Sequence, residues 1–283
     1  MLKIKDWAKL LRISQWYKNV VIFISIIFSF NLLNLNLLIL TIFGFIALCL
    51  ISSSAYIIND LADIEKDKHH PEKKKRPLPS GKIKKTSAFT IAITLFLIST
   101  IISAFLSLIF LACVLALFIL SLTYTAHIRN KAYLDLLLIS INFVIRAVSG
   151  NFIINSEISY WVILCTFFIS TFLVSSKRLT ELNLKNIKEY RPSYSKNDKS
   201  VLEFLIIMSV TCVFVFFAIY CILNNVEKLL ISIPIALYIV IMFLREIYLN
   251  PKNIRNPEKF IFKEKILISI TLWLMIILWS FYT

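Results

Sequence analysis

Nine stretches of this 283-residue chain, each close to 20 residues long and almost free of charge, restrict it to a membrane protein. They lie near residues 19 to 34, 37 to 59, 87 to 106, 109 to 126, 133 to 154, 159 to 176, 201 to 223, 229 to 246 and 261 to 281. A hydrocarbon core about 30 Å thick requires roughly 20 apolar residues per helix. Runs such as Val20 to Phe30 and Leu108 to Leu120 are apolar on nearly every face, as helices in lipid are, and the alternation of a barrel strand is absent. A content of 59% hydrophobic residues with three glycines says the same. The expected fold class is all-α, a polytopic membrane bundle of nine transmembrane helices forming a single domain over residues 1–283.

The first stretch lacks the small-residue cleavage pattern of a secretory signal and more spans follow directly, so it reads as a retained helix. Cysteines 49, 113, 165, 212 and 221 sit singly in apolar spans and read as packing residues. The net charge of +15 raises nucleic acid as a partner, but its distribution argues against one. Lysines and arginines gather at 3 to 18, 66 to 85, 129 to 131, 177 to 199 and 245 to 265, while the alternate connections hold only Lys228. That is the positive-inside pattern, placing the N-terminus in the cytoplasm and Thr283 outside. The lysine, isoleucine and asparagine bias points to a bacterial source, hence a multi-pass protein of the bacterial inner membrane whose active site faces the cytoplasm. Homo-oligomer formation is left open.

The richest polar segment follows the second stretch: Asn59, Asp60, Asp63, Glu65 and Asp67, then His70, Pro71, Lys73, Lys74, Lys75, Arg76 and Pro77. If the helix continues past Asn59, spacings of three, four and seven bring Asp60, Asp63 and Asp67 onto one face. Three carboxylates on one stripe repel unless a hard cation sits among them. Magnesium is held by one or two carboxylates plus phosphate oxygens, so the pattern implies Mg2+ and a phosphorylated substrate. The bland reading is a juxtamembrane charge run on anionic lipid, which has no use for three aligned aspartates. Arg76, with a planar fork of donors, is the expected specific phosphate contact.

Further polar residues lie near the spans. Gln15, Trp16, Lys18 and Asn19 open the first, and Tyr124, Arg129 and Asp135 bracket the loop after the fourth. Arg146 lies deep in the fifth, sharing a face with Asn142 and Asp135. A charge there costs at least about 3 kcal/mol on insertion scales and calls for a partner, either Asp135 or a substrate phosphate. Lys177, Arg178 and Glu181 end the sixth span; a snorkelling helix end is the alternative for them.

These residues resemble the UbiA superfamily, intramembrane transferases of nine helices that bind a diphosphate through magnesium. Asn59 to Asp67 looks like that superfamily's first aspartate-rich motif. The longer run to Gly81 resembles the decaprenyl-phosphate phosphoribosyltransferase branch, whose H-P-x-K-x-x-R-P and glycine are matched by His70, Pro71, Lys73, Arg76, Pro77 and Gly81. The branch's opening L-R-x-x-Q-W-x-K-N is matched by Leu11, Arg12, Gln15, Trp16, Lys18 and Asn19, and its K-R-x-x-E-L by Lys177, Arg178, Glu181 and Leu182. Its Y-x-x-x-L-K is altered to Tyr124, Ile128 and Arg129, and Lys177, Arg178 and Glu181 stand where a second aspartate-rich motif is usual.

The resemblance implies transfer of a 5-phosphoribosyl group from phosphoribosyl pyrophosphate to a polyprenyl phosphate, with Mg2+ on Asp60, Asp63 and Asp67 assisted by Asn59. Candidate substrate-binding residues are Lys18, Asn19, Asn59, Arg76, Tyr124, Arg129, Asp135, Arg146, Lys177, Arg178 and Glu181. The nearest rival keeps the fold and moves a prenyl group onto an aromatic acceptor. A transporter, the rival from another class, lacks the internal repeat and paired broken helices that would support it.

Overall fold

The computed structural model describes residues 4–68, 73–182, 193–255, 260 and 263–282. Every regular element among them is helical. Seven helices are long and apolar enough to cross a membrane: Leu35–Ala62, Lys85–Leu106, Leu108–Ile128, Leu134–Ile154, Tyr160–Leu182, Lys199–Leu223 and Glu227–Leu249. They fall on seven of the nine expected stretches, and the ninth stretch carries the helix Glu264–Tyr282, 19 residues long. His70, Pro71 and Thr283 lie outside the described residues.

The first expected span differs. After a short helix α1 (Ile4–Leu10), the chain turns at Arg12 in the left-handed region, runs as 3₁₀ helix over Ile13–Ile22, and becomes α2 (Phe23–Phe28). Sixteen residues are few for a crossing, but 3₁₀ geometry rises about 2.0 Å per residue against 1.5 Å for an α-helix. Ten residues of one and six of the other reach roughly 29 Å, close to the hydrocarbon thickness. The tighter helix therefore recovers in rise what the segment lacks in length.

The described residues group into two compact units. The first comprises residues 1–129 and 142–158. Its centre is α3 (Leu35–Ala62), packed on α5 (Lys85–Leu106), with the one-turn helix α4 (Ile64–Lys68) between them in sequence. Between two helices in lipid there is no water to expel, so close approach and hydrogen bonding hold them together. Ala47, Ala55, Ala88 and Ala92 are all fully buried there, while Ser54 donates to Ala92 O (2.8 Å) and Ser99 to Ala47 O (2.8 Å). Ser107, extended in backbone, ends α5 and caps α6 (Leu108–Thr123), so the chain reverses at one residue.

The second unit, residues 130–141 and 159–283, centres on α9 (Tyr160–Leu182) packed against α10 (Lys199–Leu223), with α11 (Ile233–Leu249) beside them. Its core includes Leu136, Leu202, Ile206 and Ile247, and Phe243 stacks with Phe172 and Phe260 at ring-centre distances of 5.0 Å each. The helix α7 (Leu134–Ser149) gives its first half to this unit and its second half to the other, where the one-turn helix α8 (Asn151–Ile154) follows it.

Gly150 sits where no side chain fits. A Cβ there would come within 2.6 Å of both Ile22 O and Ser25 Oγ, and Ser25 Oγ already donates to Ala147 O (2.7 Å). One of those contacts is backbone, so Gly150→Ala is expected to lower stability by about 1–3 kcal/mol, read as an earlier thermal unfolding of the purified protein. Gly44→Ala meets chiefly the flexible tips of Ile153 and Ile22 and is the milder control.

Candidate functional site

The acidic segment closes the end of α3. That helix carries Asn59 and Asp60 within it and ends at Asp63, whose N–H still bonds Asn59 O at 3.0 Å. The chain resumes helical form in α4, where Asp67 N bonds Asp63 O at 2.8 Å. The near-continuous path lets Asp60 and Asp67, seven residues apart, converge: Nη1 of Arg76 donates to both, at 3.0 Å each. Asp60 also accepts from Arg12 Nη2 at 2.5 Å, and Asp63 from Arg129 Nη1 at 3.0 Å.

Each arginine is delivered by a distinct local device. Arg76 precedes a tight turn in which Ser80 N bonds Arg76 O (3.0 Å) and Ile83 N bonds Pro77 O (3.2 Å). Pro77, Leu78 and Pro79 are buried under it. Gly81 sits there at φ +71°, a conformation glycine takes without strain. Arg129 follows a π-turn over Tyr124–Ile128, closed by Arg129 N on Tyr124 O at 2.8 Å, which adds a residue to the last turn of that span. Arg12 lies over the Tyr56 ring, 4.6 Å from its centre, and is aimed by its left-handed backbone.

Formal charge balances: three aspartates meet three guanidinium groups. Asp60 and Asp67 are buried, at 6% and 1% exposure, so unmatched carboxylates there would be costly. Among the described residues no three His, Cys, Asp or Glu side chains gather as a ready-made metal cage. Arg12 and Tyr56 carry no site role in the sequence reading. Arg12 stands in the matched opening motif, and nothing in the spacing reveals that it reaches Asp60, 48 residues away.

The other candidates of this unit fall nearby in the chain. Asn19 is buried and donates to Cys49 Sγ at 3.3 Å, so that cysteine is a hydrogen-bond acceptor as well as a packing residue. Trp16 Nε1 donates to Ser53 Oγ (3.0 Å), which donates to Leu11 O (2.7 Å), pinning the 3₁₀ segment to α3. Lys18 is partly buried and makes no ion pair among the described residues.

The second unit holds a separate buried cluster, and here one expectation changes. Asp135, fully buried, is not kept for Arg146. Its Oδ2 accepts from Arg178 Nε (2.9 Å) and Nη2 (2.8 Å), and its Oδ1 from the Tyr194 hydroxyl (2.6 Å). Arg178, 3% exposed, also donates Nη1 to Glu181 at 2.9 Å. Its fork is thus committed to two carboxylates, while Lys177 beside it is only partly buried. The spacing argument failed because Asp135 opens α7, within reach of α9, whereas face-sharing along one helix says nothing about what packs against each turn.

At the rim of this cluster Tyr133 donates its hydroxyl to Asp198 and packs edge-on against Tyr194 at 5.7 Å. Burial first, and then the Asp198 carboxylate, push the Tyr133 hydroxyl from 10.0 up to about 12. The Tyr133 hydrogen bond holds Asp198 below the usual range. A raised folded-state value means stability is complete below pH 10 and is lost as pH rises towards 12. Thermal unfolding between those limits is expected to show a steeper alkaline decline for wild type than for Tyr133→Phe.

The fold and site define a helical membrane protein that pairs three carboxylates with three arginines at a span end. The chain belongs to the UbiA prenyltransferase family, whose model matches residues 20–264. It is 33% identical over 180 residues to decaprenyl-phosphate phosphoribosyltransferase of Mycolicibacterium smegmatis, covering 62% of this chain and 56% of that one. It is 30% identical over 226 residues to the protein of the same name from Corynebacterium glutamicum, covering 75% and 66%. The chain therefore spans less than two thirds of the length of either relative. In fold it is similar to the structure of a UbiA homologue from Archaeoglobus fulgidus bound to GPP and Mg2+, with TM-score 0.69 and 17% identity over 98% of this chain and 100% of that one. It is a multi-pass membrane protein.

Proposed function

We propose that this chain is a magnesium-dependent transferase that moves a 5-phosphoribosyl group from phosphoribosyl pyrophosphate to a polyprenyl phosphate and releases pyrophosphate. We read residues 1–283 as one transferase domain of the bacterial inner membrane, N-terminus in the cytoplasm, with the site open to that side. The observation that carries the reading is the convergence of Asp60 and Asp67 on Arg76, with Arg12 and Arg129 alongside.

The residues suit magnesium, because two hard oxygen donors already face one cationic atom and this metal asks for one or two carboxylates plus substrate oxygens. Asp60, Asp67 and Asp63 would hold it, with Asn59 assisting. When bound, magnesium supplies charge neutralisation for the departing pyrophosphate. With the three carboxylates turned to such an ion, Arg12, Arg76 and Arg129 would be available to receive phosphate oxygens. These arginines bind and orient the donor so that ribose C1 faces the acceptor. The acceptor phosphate is already anionic and needs no base from the protein. Lys18 is the candidate cation of the first unit for the donor's 5-phosphate, with Asn19 and Tyr124 as polar contacts, while Lys177 on α9 keeps the substrate-binding role that the resemblance implies. Arg178 acts by holding Asp135 and Glu181.

The naming of the two relatives above supports this over prenyl transfer to an aromatic acceptor, as does the presence of Lys177, Arg178 and Glu181 where prenyl-transferring members usually carry a second aspartate-rich motif. The test is magnesium-dependent transfer of radiolabel from phosphoribosyl pyrophosphate into butanol-extractable lipid by the purified protein with a polyprenyl phosphate. Labelled lipid supports the reading. Prenylation of an aromatic acid instead, under the same conditions, hands the protein to the rival.

A further inference from the structure

Within the first unit, Arg146 stands outside the charge balance of the aspartate cluster. Arg146 lies in the second half of α7, and its Nε is sealed from solvent without a hydrogen-bond partner. No carboxylate among the described residues pairs with it. Its guanidinium lies 5.7 Å from the centre of the Phe143 ring, and it lines a cavity of about 20 Å³ with Ser52, Tyr56, Leu117, Phe118 and Ser121. That volume admits one water molecule or one oxygen of a tetrahedral anion. Ser52 and Tyr56 precede Asp60 on α3 by two turns and one, so the cavity lies roughly 6–12 Å further along that helix from the aspartates, towards the middle of the span.

We propose that Arg146 heads a separate phosphate subsite, distinct from the aspartate cluster, that receives the phosphate monoester of the lipid acceptor. The proposal rests on the transferase reading above and assigns its second substrate. An unmatched charge within a span is costly, and a ligand anion offsets that cost. A lipid head group reaches this depth with its tail still in hydrocarbon, whereas a water-soluble donor would have to be drawn fully out of water. Tyr56 links the two places, one ring contacting Arg12 of the acidic cluster and lining the Arg146 cavity. In the reaction, an acceptor phosphate oxygen forms the bond to ribose C1, the C1–O bond to pyrophosphate breaks, and the electron pair leaves with pyrophosphate. No proton changes hands.

The test uses the full chain in lipid nanodiscs. Arg146→Gln is expected to raise the KM for polyprenyl phosphate roughly 10- to 100-fold, the worth of a charged hydrogen bond, and Ser121→Ala to raise it less. The KM for phosphoribosyl pyrophosphate should stay within about twofold. A rise in the donor's KM instead, or no change in either, overturns the proposal. A second arm omits the donor and compares binding of polyprenyl phosphate with the polyprenol: wild type should prefer the phosphate, and Arg146→Gln should lose that preference. Persistence of the preference in the variant, or displacement of the lipid by millimolar inorganic phosphate alone, also overturns it. If the binding arm succeeds while wild type transfers no phosphoribosyl group, the transferase reading fails and the subsite stands. Because the substitution removes an unpaired charge within a span, wild-type-like thermal unfolding is expected, and this separates a ligand role from a packing one.

Discussion

Asp60→Asn is expected to lower phosphoribosyl transfer by about 100- to 1,000-fold, the scale on which a single electrostatic contact to a developing charge is lost. The substitution keeps the size of the side chain and an oxygen at Oδ1, so Arg12 and Arg76 retain an acceptor while losing the charge. Those two side chains are 24% and 34% exposed, so water compensates much of the lost attraction and the stability cost is expected to be small. Activity and stability should therefore separate: turnover collapses while the unfolding temperature hardly moves. Wild type treated with a chelator should lose turnover to the same extent and recover it with added magnesium, whereas Asp60→Asn should not recover. Asp6→Asn, which disturbs only the surface pair with Lys82, is the control expected to behave as wild type. Retained turnover in Asp60→Asn, or wild-type indifference to chelation, would remove the metal from the proposed function.

The largest stability effect is expected at the other cluster. Asp135→Ala should destabilise the protein by about 3–5 kcal/mol, because it takes from a guanidinium that is 3% exposed the carboxylate gripped by its Nε and Nη2, Glu181 remaining on Nη1, and removes the acceptor of Tyr194. Unfolding of a membrane protein is commonly irreversible, so the readout is the half-life of the native protein at fixed temperature. The informative comparison is Asp135→Leu combined with Arg178→Met. Removing both charges and leaving apolar groups of similar size should restore much of the half-life, since the buried Asp135–Arg178 pair is then gone as a unit and Glu181, 17% exposed, can turn to water. If the single variant is as long-lived as wild type, the cluster contributes no stability. If the double variant is no better than the single, something other than the ion pair holds this part of the unit together.

Several features could be read from the residues in order. Helices in lipid satisfy their own backbone and need only length and apolarity, which hydropathy reports directly. Hence the seven long spans coincide with the expected stretches. The convergence of Asp60 and Asp67 was equally accessible, because residues seven apart on nearly continuous helix share a face. The first span was not, since 3₁₀ and α geometry place the same apolar residues at different rise, and composition does not distinguish them. Nor was the role of Arg12, whose left-handed backbone turns it towards Tyr56 and Asp60. Spacing also left the partner of Arg146 open between Asp135 and a substrate phosphate: periodicity along α7 aligns Asp135 with it, whereas α9 and the segment carrying Tyr194 engage Asp135.

The sequence by itself determined that this chain spans a membrane as helices and that Asp60 and Asp67 stand seven residues apart at a span end. Those properties follow from local spacing and from the cost of polar groups in hydrocarbon. Only the tertiary structure decided which cation meets which carboxylate. It paired Arg12, Arg76 and Arg129 with the aspartates, gave Arg178 to Asp135, and left Arg146 at a cavity without a carboxylate among the described residues. An ion pair depends on distances of about 3 Å between atoms set by helices far apart in the chain, and no pattern of spacing carries that information.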